Sequence, residues 1–112
     1  MRLKILLAYV VLFWDYSSIK KGDPMDLEII RQEIDKIDDQ IVQLLEERMH
    51  LVEGVVAYKK ASGKPILDTK REKVIFEKVK SRVGNKKYED TIVATFSDIL
   101  KRSRDYQDKT IK

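Results

Sequence analysis

Residues 27–62 read LEIIRQEIDKIDDQIVQLLEERMHLVEGVVAYKKAS, and this stretch decides the fold. It contains no proline and one interior glycine, Gly54. Its apolar residues recur at alternating spacings of four and three, which is the period of a helix face that packs against another helix. The sequence therefore predicts a single helix over the whole stretch, about 54 Å long at about 1.5 Å of rise per residue.

Charged residues interrupt this apolar face at Arg31, Asp38, Arg48 and Lys59. Burying an unpaired charge is costly, so we interpret the three cations as groups that face an anion in the seam between helices. Arg48 and Lys59 are about three full turns apart, and their side chains should therefore point in the same direction. In the simpler alternative, the cations lie at the edge of the stripe and reach water.

Arg31 lies about 25 Å from Arg48 along the predicted helix, too far to touch the same small ligand. If Arg31 serves a site of this kind, it must reach that site from another chain. An antiparallel pair of these helices would bring Arg31 of one copy close to Arg48 of the other and would form two equivalent sites. A homodimer follows if Arg31 has this role.

Two shorter helices are expected after the long one. Pro65 follows the predicted end of the first helix near 62–63, and Asp68 is a good N-cap for a second helix that ends near 84–85. The buried face of this second helix is expected to consist of Val74, Ile75, Val79 and Val83, with Phe76 nearby.

The third helix is expected over about 87–107, and its apolar stripe continues into two polar residues, Ser103 and Gln107. Either the end of this helix frays into solvent, or both side chains point into the pocket that holds Arg48 and Lys59. The predicted fold class is all-α, with three helices per chain: one very long, one short and one medium.

Composition excludes several classes of function. The 112 residues are enough for one domain and include no cysteine, so disulfides and thiolate metal sites are absent. The single histidine, His50, cannot build a histidine-rich metal site. The net charge of +4 is modest and the charges are interleaved, which argues against a nucleic-acid binder. Lysine-rich clusters, including 101–102 and Arg104, are expected to be solvated.

Residues 1–24 differ from the rest of the chain. A basic start precedes an apolar run at 5–14, which is too short to cross a bilayer because a spanning helix needs about 20 residues. Three interpretations stay open: a dispensable extension upstream of a start at Met25, an export signal, or an element that packs on the domain. We expect a helical domain over 25–112 in the cytoplasm, without a membrane partner, unless residues 1–24 direct export.

The predicted pocket is rich in cations that have no cysteine or histidine beside them. Arginine grips carboxylates bidentately, so the pocket suits a small dianion such as a dicarboxylate. No serine or cysteine nucleophile lies beside a histidine base, and no metal site is expected. What remains is binding, or a reaction that needs only positioning and electrostatics. The pocket residues are Arg31 from a partner chain, Arg48, Lys59, Asp68, Arg71, Glu72, Ser103 and Gln107.

These residues fall in motifs with a specific combined spacing, although each motif alone would be weak. The motifs are Ile30-Arg31, Ile37-Asp38, Leu44-Leu45-x-x-Arg48, Val55-x-x-x-Lys59, Pro65-Ile66-x-Asp68-x-x-Arg71-Glu72 and Ser103-x-x-x-Gln107. In these motifs, residues 27–107 resemble the all-helical class of chorismate mutases. The segment 1–24 departs from the short cytoplasmic forms of that family.

The resemblance implies an intertwined helical homodimer that converts chorismate to prephenate without a cofactor, in the synthesis of phenylalanine and tyrosine. The reaction of the family is an intramolecular Claisen rearrangement. By similarity, the substrate carboxylates would be held by Arg31 of the other subunit, Arg48 and Arg71, with help from Ser103. Lys59 and Gln107 would donate to the ether oxygen. Glu72 would orient the ring hydroxyl, with the Asp68 segment beside it.

Two alternatives use the same helical scaffold. One is a lyase that eliminates pyruvate from isochorismate, for which the same cations would serve. The other is a non-catalytic regulatory module that binds a ligand. The segment from Asp68 to Glu72 favours the mutase over the lyase.

Overall fold

The computed structural model describes residues 24–112, which form helices and connecting turns without a strand. The three predicted helices are present, and the all-α class is confirmed. The interpretations of residues 1–24 lie, except at Pro24, outside the described part of the chain. The helices are α1 (Pro24–Ser62), α2 (Thr69–Arg82) and α3 (Glu89–Ile111), and a short 3-10 helix (Lys86–Tyr88) precedes α3.

The long helix α1 ends where the sequence predicts. Gly63 has a φ of 72°, a left-handed conformation that glycine adopts without a steric penalty. Its backbone N–H donates to the Lys59 carbonyl at 2.8 Å, which satisfies one of the last carbonyls of the helix. The chain can then turn through Pro65 toward α2.

The start of α2 also follows the prediction. Asp68 is the N-cap, and its Oδ1 accepts a hydrogen bond of 3.0 Å from the backbone N–H of Arg71. The helix ends at Arg82, just before the predicted 84–85. Val74 was expected on the buried face, but it is 46% exposed. It lies about 100° around the helix from Ile75 and therefore off the stripe that Ile75 and Val79 form.

The last helix, α3, begins two residues later than predicted and continues one turn past Gln107. It begins later because Asn85 caps a separate 3-10 turn, with its side chain accepting from Lys87 N–H at 3.0 Å. Ser103 and Gln107 are 6% and 5% exposed within a continuous helix. The interpretation of a frayed helix end is therefore wrong.

The chain divides into two compact units, Met1–Glu46 and Glu47–Lys112. In the second unit, the apolar core consists of Val52 and Val56 from α1, Val79 from α2 and Leu100 from α3. Tyr106 adds a link between α3 and α1 by donating a hydrogen bond to the Glu53 carboxylate. This hydrogen bond raises the pKa of Tyr106.

In the first unit, the apolar face of α1 is largely uncovered. Ile34, Ile37, Ile41 and Leu44 are all exposed, although they follow the packing stripe that the sequence defines. Within residues 24–112, no helix is both long and apolar enough to cross a membrane.

Candidate active site

A cavity of about 270 Å³ in the second unit is lined by all three helices and by the loop between α1 and α2. Apolar side chains such as Val52, Ile75 and Leu100 form part of its wall. The eighth predicted site residue, Arg31, is exposed and is not part of this lining. The other seven line the cavity together: Arg48, Lys59, Asp68, Arg71, Glu72, Ser103 and Gln107.

Lys59 is held inside the cavity by two hydrogen bonds. Its Nζ donates to the Ile66 carbonyl at 2.5 Å and to Gln107 Oε1 at 2.9 Å. The first contact ties the ammonium to the loop after α1, and the second ties it to α3. A lysine ammonium has three donors, so a third N–H is left for a ligand.

Gln107 continues this network along α3. Its Nε2 donates to Ser103 Oγ at 3.2 Å, while its Oε1 accepts from Lys59. Both polar side chains are buried, and buried polar groups are normally hydrogen-bonded in this way. The amide has a second N–H that can donate to a ligand. Ser103, Gln107 and Lys59 thus form one ordered row of polar groups.

The first turn of α2 brings three predicted residues to the cavity. Because the Asp68 carboxylate caps the helix, it fixes the backbone from which Arg71 and Glu72 project. The backbone N–H of Glu72 donates to the Asp68 carbonyl at 3.0 Å and completes this turn. Arg48, from α1, also lines the cavity and is half-buried.

Arg104 is a cavity residue that the sequence interpretation missed. It was assigned to a solvated basic cluster, but its Nη1 makes an ion pair with Glu72 Oε2. A signal for this placement exists in the sequence. Arg104 is four residues after Leu100 and three before Gln107, so the three side chains share one face of α3.

The charge of the cavity favours an anion. Four cations line it, Arg48, Lys59, Arg71 and Arg104, against the carboxylates of Asp68 and Glu72. Two net positive charges are therefore available to a dianionic ligand. Among the described residues, no group of three or more histidine, cysteine, aspartate or glutamate side chains could hold a metal ion.

A three-helix domain with a cationic, partly apolar cavity of this kind belongs to the class of proteins whose sites suit a small dianion. The family model described as "Chorismate mutase type II" matches residues 30–108, which is most of the chain. The chain belongs to this family.

Two relatives illustrate the similarity. A chorismate mutase of Methanocaldococcus jannaschii is 34% identical over 71 residues, which cover 63% of this chain and 72% of that protein. A bifunctional chorismate mutase/prephenate dehydratase of Buchnera aphidicola is 39% identical over 80 residues, which cover 70% of this chain. The match spans only 20% of the length of the Buchnera protein. No solved structure matches the chain.

Proposed function

We propose that this protein is a chorismate mutase, an isomerase that converts chorismate to prephenate by an intramolecular Claisen rearrangement. The proposal rests on the hydrogen bond of 2.9 Å from Lys59 Nζ to Gln107 Oε1, which lies inside a cationic cavity. A unimolecular rearrangement gains from being held in its compact reactive conformation. It needs neither a nucleophile nor a cofactor, and the cavity residues supply positioning and charge.

Arg48 and Arg71 are proposed to bind the two substrate carboxylates. Both arginines line the cavity, and a guanidinium group can form a bidentate pair with a carboxylate. Ser103 Oγ accepts from Gln107 and keeps its own hydroxyl proton to donate to a carboxylate oxygen. These contacts would fold the substrate so that its two reacting carbons approach each other.

Lys59 and Gln107 are proposed to donate to the ether oxygen of the substrate. As the C–O bond breaks, negative charge develops on this oxygen. The third N–H of Lys59 and the second N–H of Gln107 would then bind the oxygen more strongly in the transition state than in the ground state. Because the network already orders both side chains, little reorganisation is needed during the reaction.

Glu72 is proposed to accept a hydrogen bond from the ring hydroxyl of the substrate. Asp68 is proposed to act beside it by capping α2 and holding the segment that carries Arg71 and Glu72. This division of roles follows the observed contacts, because the Asp68 carboxylate is engaged with its own helix.

We further propose that the active protein is a homodimer in which Arg31 of one subunit completes the site of the other. The uncovered apolar face of α1, with Ile34 and Ile41 exposed, supports this proposal. Residues 26–46 carry seven acidic and two basic side chains. A groove of about 620 Å³ on the second unit has apolar walls and the cations Arg48, Arg71, Lys78 and Arg82, with no acidic residue in its lining.

The acidic residues at 26–46 and the cationic groove have complementary charges. The groove is therefore the proposed binding site for the acidic half of α1 from a second copy. Arg48 and Arg71 line both the groove and the cavity, so a helix in the groove would lie beside the ligand. We propose that Arg31 of that helix is the residue that reaches it. We propose that the protein acts in the biosynthesis of phenylalanine and tyrosine, and that its location is the cytoplasm. Mass spectrometry of the native N-terminus tests this location, because a cleaved leader would indicate export.

Assays of the purified full-length chain with chorismate and with isochorismate test the proposed activity. We expect chorismate to be consumed and prephenate to be the product. Release of pyruvate from isochorismate would instead support the lyase alternative. Tight binding of a cyclic dicarboxylate without turnover of either substrate would support a non-catalytic module.

A further inference from the structure

Arg104 holds the carboxylate of Glu72 inside the cavity. Its Nη1 contacts Glu72 Oε2, and the two side chains are only 30% and 20% exposed. The pair joins α3 to the first turn of α2 across 32 residues of sequence. Both residues line the cavity that Lys59 and Gln107 share. The contact is therefore part of the site and differs from the exposed ion pairs on the helix surfaces.

The ion pair fixes one oxygen of a flexible side chain. The backbone of Glu72 is set by the Asp68 cap, but a glutamate side chain still has several rotatable bonds. Arg104 engages Oε2, so Oε1 is the oxygen that can accept from a ligand. Ordering the side chain in advance lowers the entropy that ligand binding would otherwise cost.

Arg104 also gives Glu72 a partner that is not one of the proposed ligand-binding cations. Arg48, Lys59 and Arg71 line the same space, and a carboxylate without its own partner would pair with one of them. Such a pairing would occupy a cation that the ligand needs. The guanidinium of Arg104, which extends from α3, instead neutralises the carboxylate of Glu72.

We propose that Arg104 is a positioning residue for recognition of the ligand hydroxyl. It holds Oε2 of Glu72 so that Oε1 is directed at a hydroxyl on the ring of the bound dicarboxylate. This inference rests on the proposed function, which assigns the hydroxyl to Glu72. It adds a specificity determinant on α3 that acts through a residue of α2.

Binding of two matched ligands tests the proposal. The probes are a bicyclic dicarboxylate that mimics the compact reacting geometry, with and without its ring hydroxyl, titrated calorimetrically into the full-length chain. We expect the unmodified protein to prefer the hydroxylated ligand by about tenfold, as a hydrogen bond to a charged acceptor allows. Arg104→Gln should lose most of this preference. Removing one cavity cation and releasing Glu72 should also weaken both ligands alike, so the readout is the ratio of the two affinities and not either affinity alone.

Four further variants separate positioning from a structural role. Glu72→Gln should lose the same preference, and adding Arg104→Gln to it should cause little further loss because both act on one hydrogen bond. Arg104→Lys should keep most of the preference, and it decides the matter if Arg104→Gln fails to fold by circular dichroism. Arg102→Gln is the matched control, since Arg102 is 80% exposed and pairs only loosely with Asp105 at 3.8 Å.

Equal weakening of both ligands by Arg104→Gln, with the ratio of the two affinities unchanged, would overturn the proposal, because a merely structural pair gives that result. An unchanged preference in that variant, or no preference in the unmodified protein, would overturn it as well. Turnover of chorismate is a separate readout. A protein that prefers the hydroxylated ligand but does not convert chorismate would contradict the proposed activity and still support Arg104 as the positioning residue.

Discussion

Lys59 Nζ donates a hydrogen bond of 2.9 Å to Gln107 Oε1, although 48 residues separate the two side chains along the sequence. The contact places an ammonium from α1 and an amide from α3 at one point of the cavity. A second contact, from Lys59 to the Ile66 carbonyl, fixes the ammonium further. Two donors with spare N–H groups therefore face the same space before any ligand arrives.

Replacing Lys59 with alanine is the most direct test of this arrangement. We expect Lys59→Ala to lower kcat for chorismate by at least about 100-fold, because loss of one donor to a developing oxyanion can cost about 3–4 kcal/mol. Steady-state measurement of chorismate consumption gives the value. Lys60→Ala is the matched control, since Lys60 is the exposed neighbour on the same helix. Near-normal turnover by Lys59→Ala would remove Lys59 from the mechanism.

The local features of the fold were predictable because they depend on neighbouring residues. The spacing of apolar residues predicts α1, Gly63 and Pro65 predict its end, and Asp68 predicts the start of α2. Each signal acts within about one helical turn. The cavity residues, apart from Arg31, were also predictable, because their combined spacing resembles that of a known family.

Features that depend on packing between helices were less predictable. Arg104 was assigned to solvent because its partner, Glu72, lies on another helix. In α1, Val55 follows the predicted stripe but is 42% exposed, whereas Val56 is 5% exposed and packs in the core. A long helix can carry one apolar face for its own chain and another for a second chain, and periodicity alone does not assign them.

The cap at Asp68 gives a prediction about stability. Asp68→Ala should lower the free energy of unfolding by about 1 kcal/mol, because the Arg71 N–H loses its acceptor at the start of α2. Asp68→Asn should retain most of this free energy, since asparagine is an equally good N-cap. Urea denaturation followed by circular dichroism measures both variants. Equal stability losses in the two would show that the charge of Asp68, and not its capping oxygen, is what stabilises the protein.

The apolar face of α1 gives a prediction about assembly. Ile41 is 46% exposed in the single chain, and Ile41→Lys would place an ammonium in the proposed dimer seam. We expect this variant to be monomeric in analytical ultracentrifugation and to lose activity, because Arg31 no longer reaches a second subunit. Gln43→Lys is the control, since Gln43 lies on a different side of the same helix. A dimeric Ile41→Lys variant, or a monomeric unmodified protein, would contradict the proposed assembly.

Mixed dimers of two inactive variants test whether the site is shared between subunits. If Arg31 crosses to the partner, a dimer of one Arg31→Ala subunit and one Lys59→Ala subunit has one site with both residues intact. Random assembly of equal amounts should then recover about a quarter of the unmodified activity, because half of the dimers are mixed and each has one working site of two.

The matched control combines Arg48→Ala with Lys59→Ala. These residues line the same cavity of one chain, so every site in such a mixture lacks one of them and no activity should return. Chorismate consumption after co-refolding measures both mixtures. Equal activity in the two mixtures would place Arg31 outside the shared site.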